Sequence, residues 1–344
     1  MASLMITGGK LGQILGRKRA FMIGCVIYGT GSLTTAVAPN LPVLLLGWSL
    51  LEGIGAALIM PAVVALVASN FGRSDRSRAY GLVASAGAVA VALGPLIGGV
   101  FTTYLSWRWV FAGEVVIVLV ILVLARRMAE AAPEVGVKLD LAGTVMSALG
   151  LGLIVFGILK AGEWGLVRPR PGAPEWIGMS PSIWLLLGGG FVLWVFLGWE
   201  NRLLTGGREP LIDPTILDNP DLRGGLTAFF VQYLLQAGLF FSIPLYLSVA
   251  PGPSAIDTGL RIMPLSVTLL LAAVGIPKVW PSASPRRVVQ GGILLLFLAL
   301  VIMTAALDAG AGAEIVTAPM LLAGLGIGAL ASQLGAVTVS SVSD

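Results

Sequence analysis

The chain has 344 residues, of which 57% are hydrophobic and only 11% are charged, and its mean hydropathy is +0.95. Soluble domains carry about 25% charged residues, so this composition excludes an ordinary water-soluble fold and indicates that the apolar side chains face lipid. With no histidine, one cysteine (Cys25) and a net charge of +4 spread over short loops, the chain carries no metal, haem, disulfide or nucleic-acid signal.

Ten apolar segments follow one another along the chain, and a helix needs about 20 mostly apolar residues to cross a bilayer. In chain order they are Ala20–Ala38, Leu41–Phe71, Ala79–Phe101, Val110–Ala125, Leu139–Leu159, Ile183–Leu197, Leu226–Val249, Gly259–Ile276, Val288–Leu307 and Val316–Val339. The sequence therefore predicts an all-α fold, a polytopic transmembrane helix bundle surrounded by the lipid bilayer. The short segment Ile183–Leu197 is expected to extend toward Glu200.

The basic residues are distributed unevenly between the gaps. Most of the 21 Lys and Arg residues fall in alternate gaps, beginning with the stretch before Ala20. Cytoplasmic loops of membrane proteins carry an excess of Lys and Arg. This pattern predicts a multi-pass protein of the cell (plasma) membrane whose basic loops lie in the cytoplasm.

The first motif precedes Ala20 and reads GKLGQILGRKR over residues 9–19. By its charge alone it is a basic loop that anchors helices at the headgroups. The string also resembles the loop signature G-x-L-a-D-r-x-G-r-k of the major facilitator superfamily, with Gln13 at the family's Asp position. The matching residues are Gly9, Leu11, Gly16, Arg17 and Lys18. The resemblance implies a hinge or latch, in which cations face carboxylates and helix C-termini.

Glu52 lies about twelve residues into its segment, so its carboxyl group is expected roughly 18 Å deep, near the bilayer midplane. Carboxylates inside a membrane are costly and mark functional sites by default. We therefore predict that Glu52 couples transport to protons; the alternative is a protonated Glu bonded to a backbone carbonyl. The surrounding residues resemble the family's fourth-helix signature R-x-x-q-G-x-g-a-a, with Ser49 at the Arg position, although a small-residue packing face would have the same composition.

A run of small residues follows in the next segment. It ends in the string G-P-x-x-G-G and comprises Gly87, Gly94, Pro95, Gly98 and Gly99. One interpretation is close helix packing in lipid through small residues. The string also resembles the fifth-helix signature of facilitator antiporters, which implies export and a bend at Pro95.

The string WRWVF over residues 107–111 suits an interfacial aromatic belt. It is also similar to the start of the sixth helix in the fourteen-helix drug/proton antiporters, the EmrB/QacA type. Glu114 stands where that family usually has Asn. Because it is a carboxylate one turn inside its apolar segment, it is a second proton-coupling candidate. Its alternative role is to snorkel toward the headgroups.

Further along, Gln232, Tyr233, Gln236 and Phe240 are candidates for lining a substrate cavity, and hydrogen bonding between helices is the alternative for the two Gln residues. The strings LDLAG at 139–143, PLID at 210–213 and TGLRIMP at 258–264 also look like parts of the same family.

The resemblance implies a facilitator-type bundle truncated at both ends. It implies a partial N-terminal bundle over 1–138 (family helices 2 to 6), a linker helix pair over 139–200 (helices 7 and 8) and a partial C-terminal bundle over 201–344 (helices 9 to 12). The implied function is export of hydrophobic or amphipathic small molecules in exchange for protons, with the proton gradient as energy source and no cofactor or metal.

Two alternatives remain open at this point. The first is a non-transporting fragment or assembly subunit of a membrane transporter, which the Ser49 and Gln13 departures favour. The second is a membrane-embedded lipid enzyme. The absence of histidine and the lack of any clustered acidic pair in the sequence argue against the enzyme.

Overall fold

Each of the ten predicted segments coincides with an α-helix in the computed structural model, which describes residues 1–130, 136–249, 255–280, 283–306 and 313–340. The helices are α1 (Met5–Leu15), α2 (Arg17–Ala36), α3 (Leu41–Asn70), α4 (Arg73–Tyr104), α5 (Arg108–Ala125), α6 (Leu141–Trp164), α7 (Pro181–Thr205), α8 (Pro220–Val249), α9 (Ala255–Val279), α10 (Pro285–Ala306) and α11 (Thr317–Ser340). The extension of the sixth segment toward Glu200 is confirmed, and α7 continues beyond that residue to Thr205.

Six stretches of the described residues are both long and apolar enough to cross a bilayer. They are Leu41–Asn70, Arg108–Ala125, Leu141–Trp164, Pro181–Thr205, Leu260–Val279 and Pro285–Ala305. The predicted all-α membrane helix bundle is therefore confirmed. Membrane crossing by α2, α4, α8 and α11 stays a prediction.

The basic motif differs in local structure from the predicted loop. Gly9 and Leu11 lie within α1, and Arg17 and Lys18 open α2, so only Gly16 interrupts the two helices. Gly16 has φ +93°, a region that glycine enters without steric penalty and other residues avoid. The prediction of a loop was wrong for residues 9–15, because the Leu and Ile side chains of LGQIL sustain helix up to this single glycine.

Polar side chains cap the N-termini of α3 and α6. The side chain of Asn40 accepts a hydrogen bond from the Val43 N–H at 3.1 Å, at the start of α3. Asp140 accepts from the Ala142 and Gly143 N–H groups at 3.0 and 2.9 Å, at the start of α6. Both side chains accept hydrogen bonds from backbone N–H groups of the first helical turn, which have no acceptor within the helix.

Helix α3 contains a π-helical segment over Leu45–Leu51, directly before Glu52. A Cβ added at Gly47 would lie 2.7 Å from the Gly31 carbonyl oxygen, and one added at Gly31 would lie 2.9 Å from Glu52 Cγ. Gly47 and Glu52 are five residues apart and both face Gly31 of α2, a spacing that fits the i→i+5 register of a π-helix.

The chain divides into two compact units. Unit 1 comprises Met1–Asn70 and Phe111–Thr215, and unit 2 comprises Phe71–Val110 and Ile216–Asp344. Within unit 1, α2 packs on α3 and α6 packs on α7. The domain boundaries at 138 and 200 that the family resemblance implied stay a prediction.

The described core of unit 2 lies among α8, α9, α10 and α11. Its fully buried side chains include Leu239, Leu265, Leu296, Met303 and Met320. Helix α11 approaches its neighbours through glycines, since an added Cβ at Gly326 would lie 2.7 Å from the Gly292 carbonyl of α10. Close backbone contact of this kind is typical of helix packing in lipid.

Candidate functional site

Two acidic side chains of unit 1 meet at one serine. Ser32 Oγ lies 3.0 Å from Glu52 Oε1 and 2.9 Å from Glu114 Oε2, which joins helices α2, α3 and α5. Ser32 is completely buried, Glu52 is 6% exposed and Glu114 is half-buried. The two proton-coupling candidates therefore belong to one site.

This arrangement corrects one expectation from the sequence. The sequence contains no acidic pair in a short stretch, yet the fold brings Glu52 and Glu114 onto the same hydroxyl group. The two positions lie on different helices, and only packing of both helices against α2 joins them. In the structure Glu114 contacts the interior serine, rather than snorkelling to a headgroup region.

The single hydroxyl hydrogen of Ser32 limits how many of its two carboxyl contacts can be hydrogen bonds that Ser32 donates. A serine hydroxyl carries one proton, so Ser32 donates to only one of the two carboxyl groups at a time. The other contact becomes a hydrogen bond when that carboxyl group is protonated and donates to Ser32 Oγ. The geometry is thus suited to a pair of acids that holds one proton and passes it through the serine.

Small residues on the two packed helices make this approach possible. An added Cβ at Gly55 would lie 2.6 Å from the Tyr28 backbone nitrogen, and one at Gly24 would lie 2.9 Å from the Gly55 carbonyl oxygen. The backbones of α2 and α3 are therefore in contact in the turns of α2 that precede Ser32.

Sequence reasoning missed Ser32 and its neighbour Tyr28. The Tyr28 side chain lies beside Glu114 and completes the polar lining of the site. Tyr28, Ser32 and Thr35 are spaced by four and three residues, so they share one face of α2. A polar stripe of this spacing inside an apolar segment was the signal that could have found them.

The basic motif makes a different set of contacts in unit 1. Lys18 Nζ donates to the carbonyl oxygens of Arg126 and Met128 at 3.0 and 2.7 Å, just beyond the C-terminus of α5. Arg17 donates to the Ala65 carbonyl of α3 at 3.2 Å, and Arg19 forms an ion pair with Glu130 at 2.8 Å. The motif thus ties the α1–α2 junction to the ends of α3 and α5, as favourable charge at helix C-termini predicts.

A cavity of about 280 Å³ lies beside this motif within unit 1. Its walls come from α1, the start of α2, the later part of α3 and the segment after α7. The lining residues are Met5, Ile6, Gly9, Lys10, Gly12, Gln13, Arg17, Pro61, Ala62, Ala65, Leu211 and Ile212. Lys10 forms an ion pair with Glu209 at 3.3 Å at this cavity, and its side chain is only 10% exposed.

The glycine run of the antiporter-like motif lies on α4, in unit 2. A Cβ added at Gly87, Gly94 or Gly98 meets no atom of unit 2 within 4 Å, whereas Gly99 is buried. Helix α4 continues through Pro95 to Tyr104, although the Pro95 side chain lies outside the described residues. The export role implied for this motif stays a prediction.

The cavity candidates of α8 point in different directions. Gln232 is buried and Gln236 is half-buried, while Tyr233 is 60% exposed and stacks on Phe229 with ring centroids 6.3 Å apart. The side chain of Phe240 lies outside the described residues. The two Gln side chains share a helix face that Tyr233 does not, and their role in binding substrate stays a prediction.

In the part of the chain that the structure describes, no group of three or more His, Cys, Asp or Glu side chains is arranged to hold a metal ion. The single cysteine, Cys25, is buried on α2. The polar groups of the site at Ser32 are the carboxyl groups of Glu52 and Glu114 and the hydroxyl groups of Ser32 and Tyr28.

Comparison with known proteins places this architecture in a family. The sequence profile of the Major Facilitator Superfamily matches residues 1–344, and the chain therefore belongs to that family.

The chain is similar to several curated proteins. It is 29% identical to the probable actinorhodin transporter of Streptomyces coelicolor, over 99% of this chain and 58% of that protein. It is 30% identical to the lincomycin resistance protein of Streptomyces lincolnensis, over 79% of this chain and 53% of that protein. It is 29% identical to the puromycin resistance protein of Streptomyces alboniger, over 88% of this chain and 57% of that protein. The chain thus spans little more than half the length of these relatives.

Proposed function

We propose that this protein is a secondary active exporter that exchanges hydrophobic or amphipathic small molecules for protons. The observation that carries the proposal is the contact of Ser32 with both Glu52 and Glu114. A buried acid pair in a transmembrane bundle is a suitable proton carrier, because such groups are retained in membranes mainly where ions or protons move. The energy source is the proton gradient, and no cofactor is required.

The printed names of the relatives support the export direction. One relative is a transporter named for actinorhodin, one is a cephamycin export protein of Amycolatopsis lactamdurans, and others confer resistance to lincomycin and puromycin. Each of these compounds is named for the relative concerned and is not assigned to this chain. For this chain we propose the broader class of multidrug efflux, within the fourteen-helix drug/proton antiporter type.

The proposed mechanism uses the pair as a proton-dependent switch between two helix arrangements. With a proton, the Glu52–Ser32–Glu114 contacts are all satisfied and α2, α3 and α5 are held together. Without it, two negative charges face each other in a low-dielectric interior, which favours separation or hydration of the site. Substrate release and proton uptake would then alternate as in other secondary transporters.

The proposed location is the plasma membrane, with the basic motif on the cytoplasmic side. Lys18 and Arg17 both lie at the α1–α2 junction, where several cations cluster, and this clustering supports the orientation.

Purified protein in proteoliposomes with an imposed pH gradient tests the proposal. Exchange of a fluorescent amphipathic cation for protons should occur with the parent chain and should be lost in Glu52→Gln. The matched control is Glu163→Gln, which removes an exposed carboxyl group paired with Lys160 at the end of α6. A Glu52→Gln protein with the parent's rate and pH profile would rule out this proton carrier.

A second candidate is a non-transporting subunit of a larger membrane transporter. The observation that favours it is that Ser49 and Gln13 stand where the family signatures described above have Arg and Asp. If the parent chain shows no exchange alone but restores exchange when it is mixed with a second membrane protein, this candidate is preferred.

A further inference from the structure

A second buried carboxyl group lies far from Ser32 in the chain and has no part in the proposed transport site. Glu200 is on α7, near the helix end, and is completely buried. Its Oε2 accepts hydrogen bonds from the backbone N–H groups of Leu211 at 2.5 Å and Ile212 at 3.4 Å. Glu200 thereby fastens the segment that follows α7 to unit 1.

The other oxygen of Glu200 faces a second acid. Asp140 Oδ2 already accepts from the Gly143 N–H at 2.9 Å and from Trp199 Nε1 at 2.8 Å. A Cβ added at Gly143 would collide with both Glu200 Oε1 and Asp140 Oδ2, so these two oxygens flank the same small volume. Gly143 leaves that volume free of any side chain.

Glu200 Oε1 has no hydrogen-bond partner among the described residues, although it is buried. Buried polar atoms are nearly always paired, and each exception calls for an explanation. The donors that bind the two carboxyl groups are two N–H groups at Glu200 Oε2 and three at the Asp140 carboxylate, and none of them reaches Glu200 Oε1. A proton carried by one of the two acids is the simplest missing donor, since two carboxylates that share a site favour one bound proton between them.

The other charged groups around Glu200 come from α1 and from the segment itself. Lys10 acts on Glu200 electrostatically and is paired with Glu209 at 3.3 Å. Asp140 is the acid that approaches from the start of α6. Lys10 therefore interacts electrostatically with both Glu209 and Glu200, but it does not donate a hydrogen bond to Glu200 Oε1.

We infer that Glu200 and Asp140 form a second proton-binding site, in which one proton held between Glu200 Oε1 and Asp140 Oδ2 keeps the Leu211–Ile212 backbone fastened to unit 1. The proton is taken from water and returned to water, and no covalent bond changes. When it leaves, two like charges face each other in a buried site and Glu200 is driven from its position. The N–H groups of Leu211 and Ile212 then lose their acceptor.

Release has a defined structural effect within unit 1. With the proton bound, the backbone after α7 is fastened at Leu211 and Ile212. Without it, the segment keeps the Lys10–Glu209 ion pair but loses its tether to Glu200. Leu211 and Ile212 also line the cavity beside Lys10, so their release opens one wall of it. The site thus makes the tether after α7 sensitive to pH, independently of the Ser32 site.

Hydrogen exchange of the Leu211 and Ile212 amides, measured by mass spectrometry on the whole chain in detergent, tests this inference directly. Protection, corrected for intrinsic exchange, should fall as pH rises from about 6 to about 9, by up to about tenfold per pH unit when opening releases one proton. Protection that does not change with pH would overturn the inference. Protection that follows Na⁺ concentration at fixed pH would also overturn it, in favour of a metal cation.

Two variants separate a bound proton from a purely structural carboxylate. Glu200→Gln keeps an acceptor for Leu211 and supplies an N–H toward Asp140, so protection should persist and lose its pH dependence. Asp140→Asn removes the like charge while retaining a side chain suited to the α6 N-cap, and should flatten the pH dependence too. Loss of protection in Glu200→Gln at every pH, or an unchanged pH dependence in both variants, would refute the site.

Asp213→Asn provides the matched control. Asp213 lies one residue beyond Ile212, but its carboxyl group accepts from Thr215 and is exposed, and these Thr215 hydrogen bonds hold its pKa below the usual value. This variant removes a carboxyl group from the same segment without touching the pair. It should keep the parent's pH dependence, and a flat profile in this control would contradict the assignment to Glu200 and Asp140.

Discussion

The backbone of Gly31 lies directly against Glu52. A Cβ at Gly31 would lie 2.8 Å from the Glu52 backbone nitrogen and 2.9 Å from Glu52 Cγ, so any larger residue displaces the acid from Ser32. The absence of a side chain at one position of α2 thus determines whether a carboxyl group on α3 reaches its partner.

The first prediction follows from this contact. Gly31→Ala should move Glu52 away from Ser32 and lower stability by about 1–3 kcal/mol, the usual range for overpacking of a close interface. Proton-coupled exchange should fall although both carboxyl groups remain. Thermal unfolding in detergent and exchange in proteoliposomes measure the two effects. Gly188→Ala is the control, because an added Cβ there meets nothing within 4 Å; equal effects of the two variants would contradict the steric explanation.

Removing the bridging hydroxyl group gives the second prediction. Ser32→Ala leaves both carboxyl groups without their shared partner, which should cost about 1–3 kcal/mol of unfolding free energy and change the pH profile of exchange. Thr34→Ala on the same helix is the control, since Thr34 Oγ1 donates only within α2, to the Thr30 carbonyl at 2.8 Å. A pH profile identical to that of the parent in Ser32→Ala would exclude a proton path through the serine.

The third prediction concerns the coupling of the two acids. Because Glu52 and Glu114 share Ser32, the effects of Glu52→Gln and Glu114→Gln on stability should not add, and the coupling energy should be about 0.5–3 kcal/mol. Chemical denaturation of the parent, both single variants and the double variant measures this energy. Strict additivity would show that the acids act independently.

The fourth prediction concerns sidedness. Arg19 lies in the basic motif and its side chain is 68% exposed, so Arg19→Cys in a Cys25→Ser background presents a single accessible thiol. An impermeant maleimide should label it in inverted vesicles but not from outside intact cells. Labelling from outside would reverse the orientation assigned from the Lys and Arg distribution.

The sequence predicted the helices well because their signal is local. Segment length and hydropathy found all ten, and the extension of α7 toward Glu200 was expected because Ile183–Leu197 is short for a membrane span. Helix α1 was missed, since its eleven residues are too few for a span and its glycines indicate a loop.

The sequence predicted the two acids of the candidate site but not their contact with Ser32, because that contact depends on helix packing. Glu52 and Glu114 were each found from their position inside an apolar segment. Their meeting at Ser32 depends on three helices, and no spacing within one helix encodes it. Likewise, Glu200 and Asp140 meet only because Gly143 leaves space between them.

The winding of α3 has one further consequence. In an ordinary α-helix, two positions separated by five residues point about 140° apart, since each residue turns about 100° around the axis. Gly47 and Glu52 face the same neighbour only because the residues between them are wound more loosely. Tightening this stretch by a single residue would swing the acid away from the serine while every side chain stayed chemically the same, so backbone winding alone could connect or disconnect the proton route.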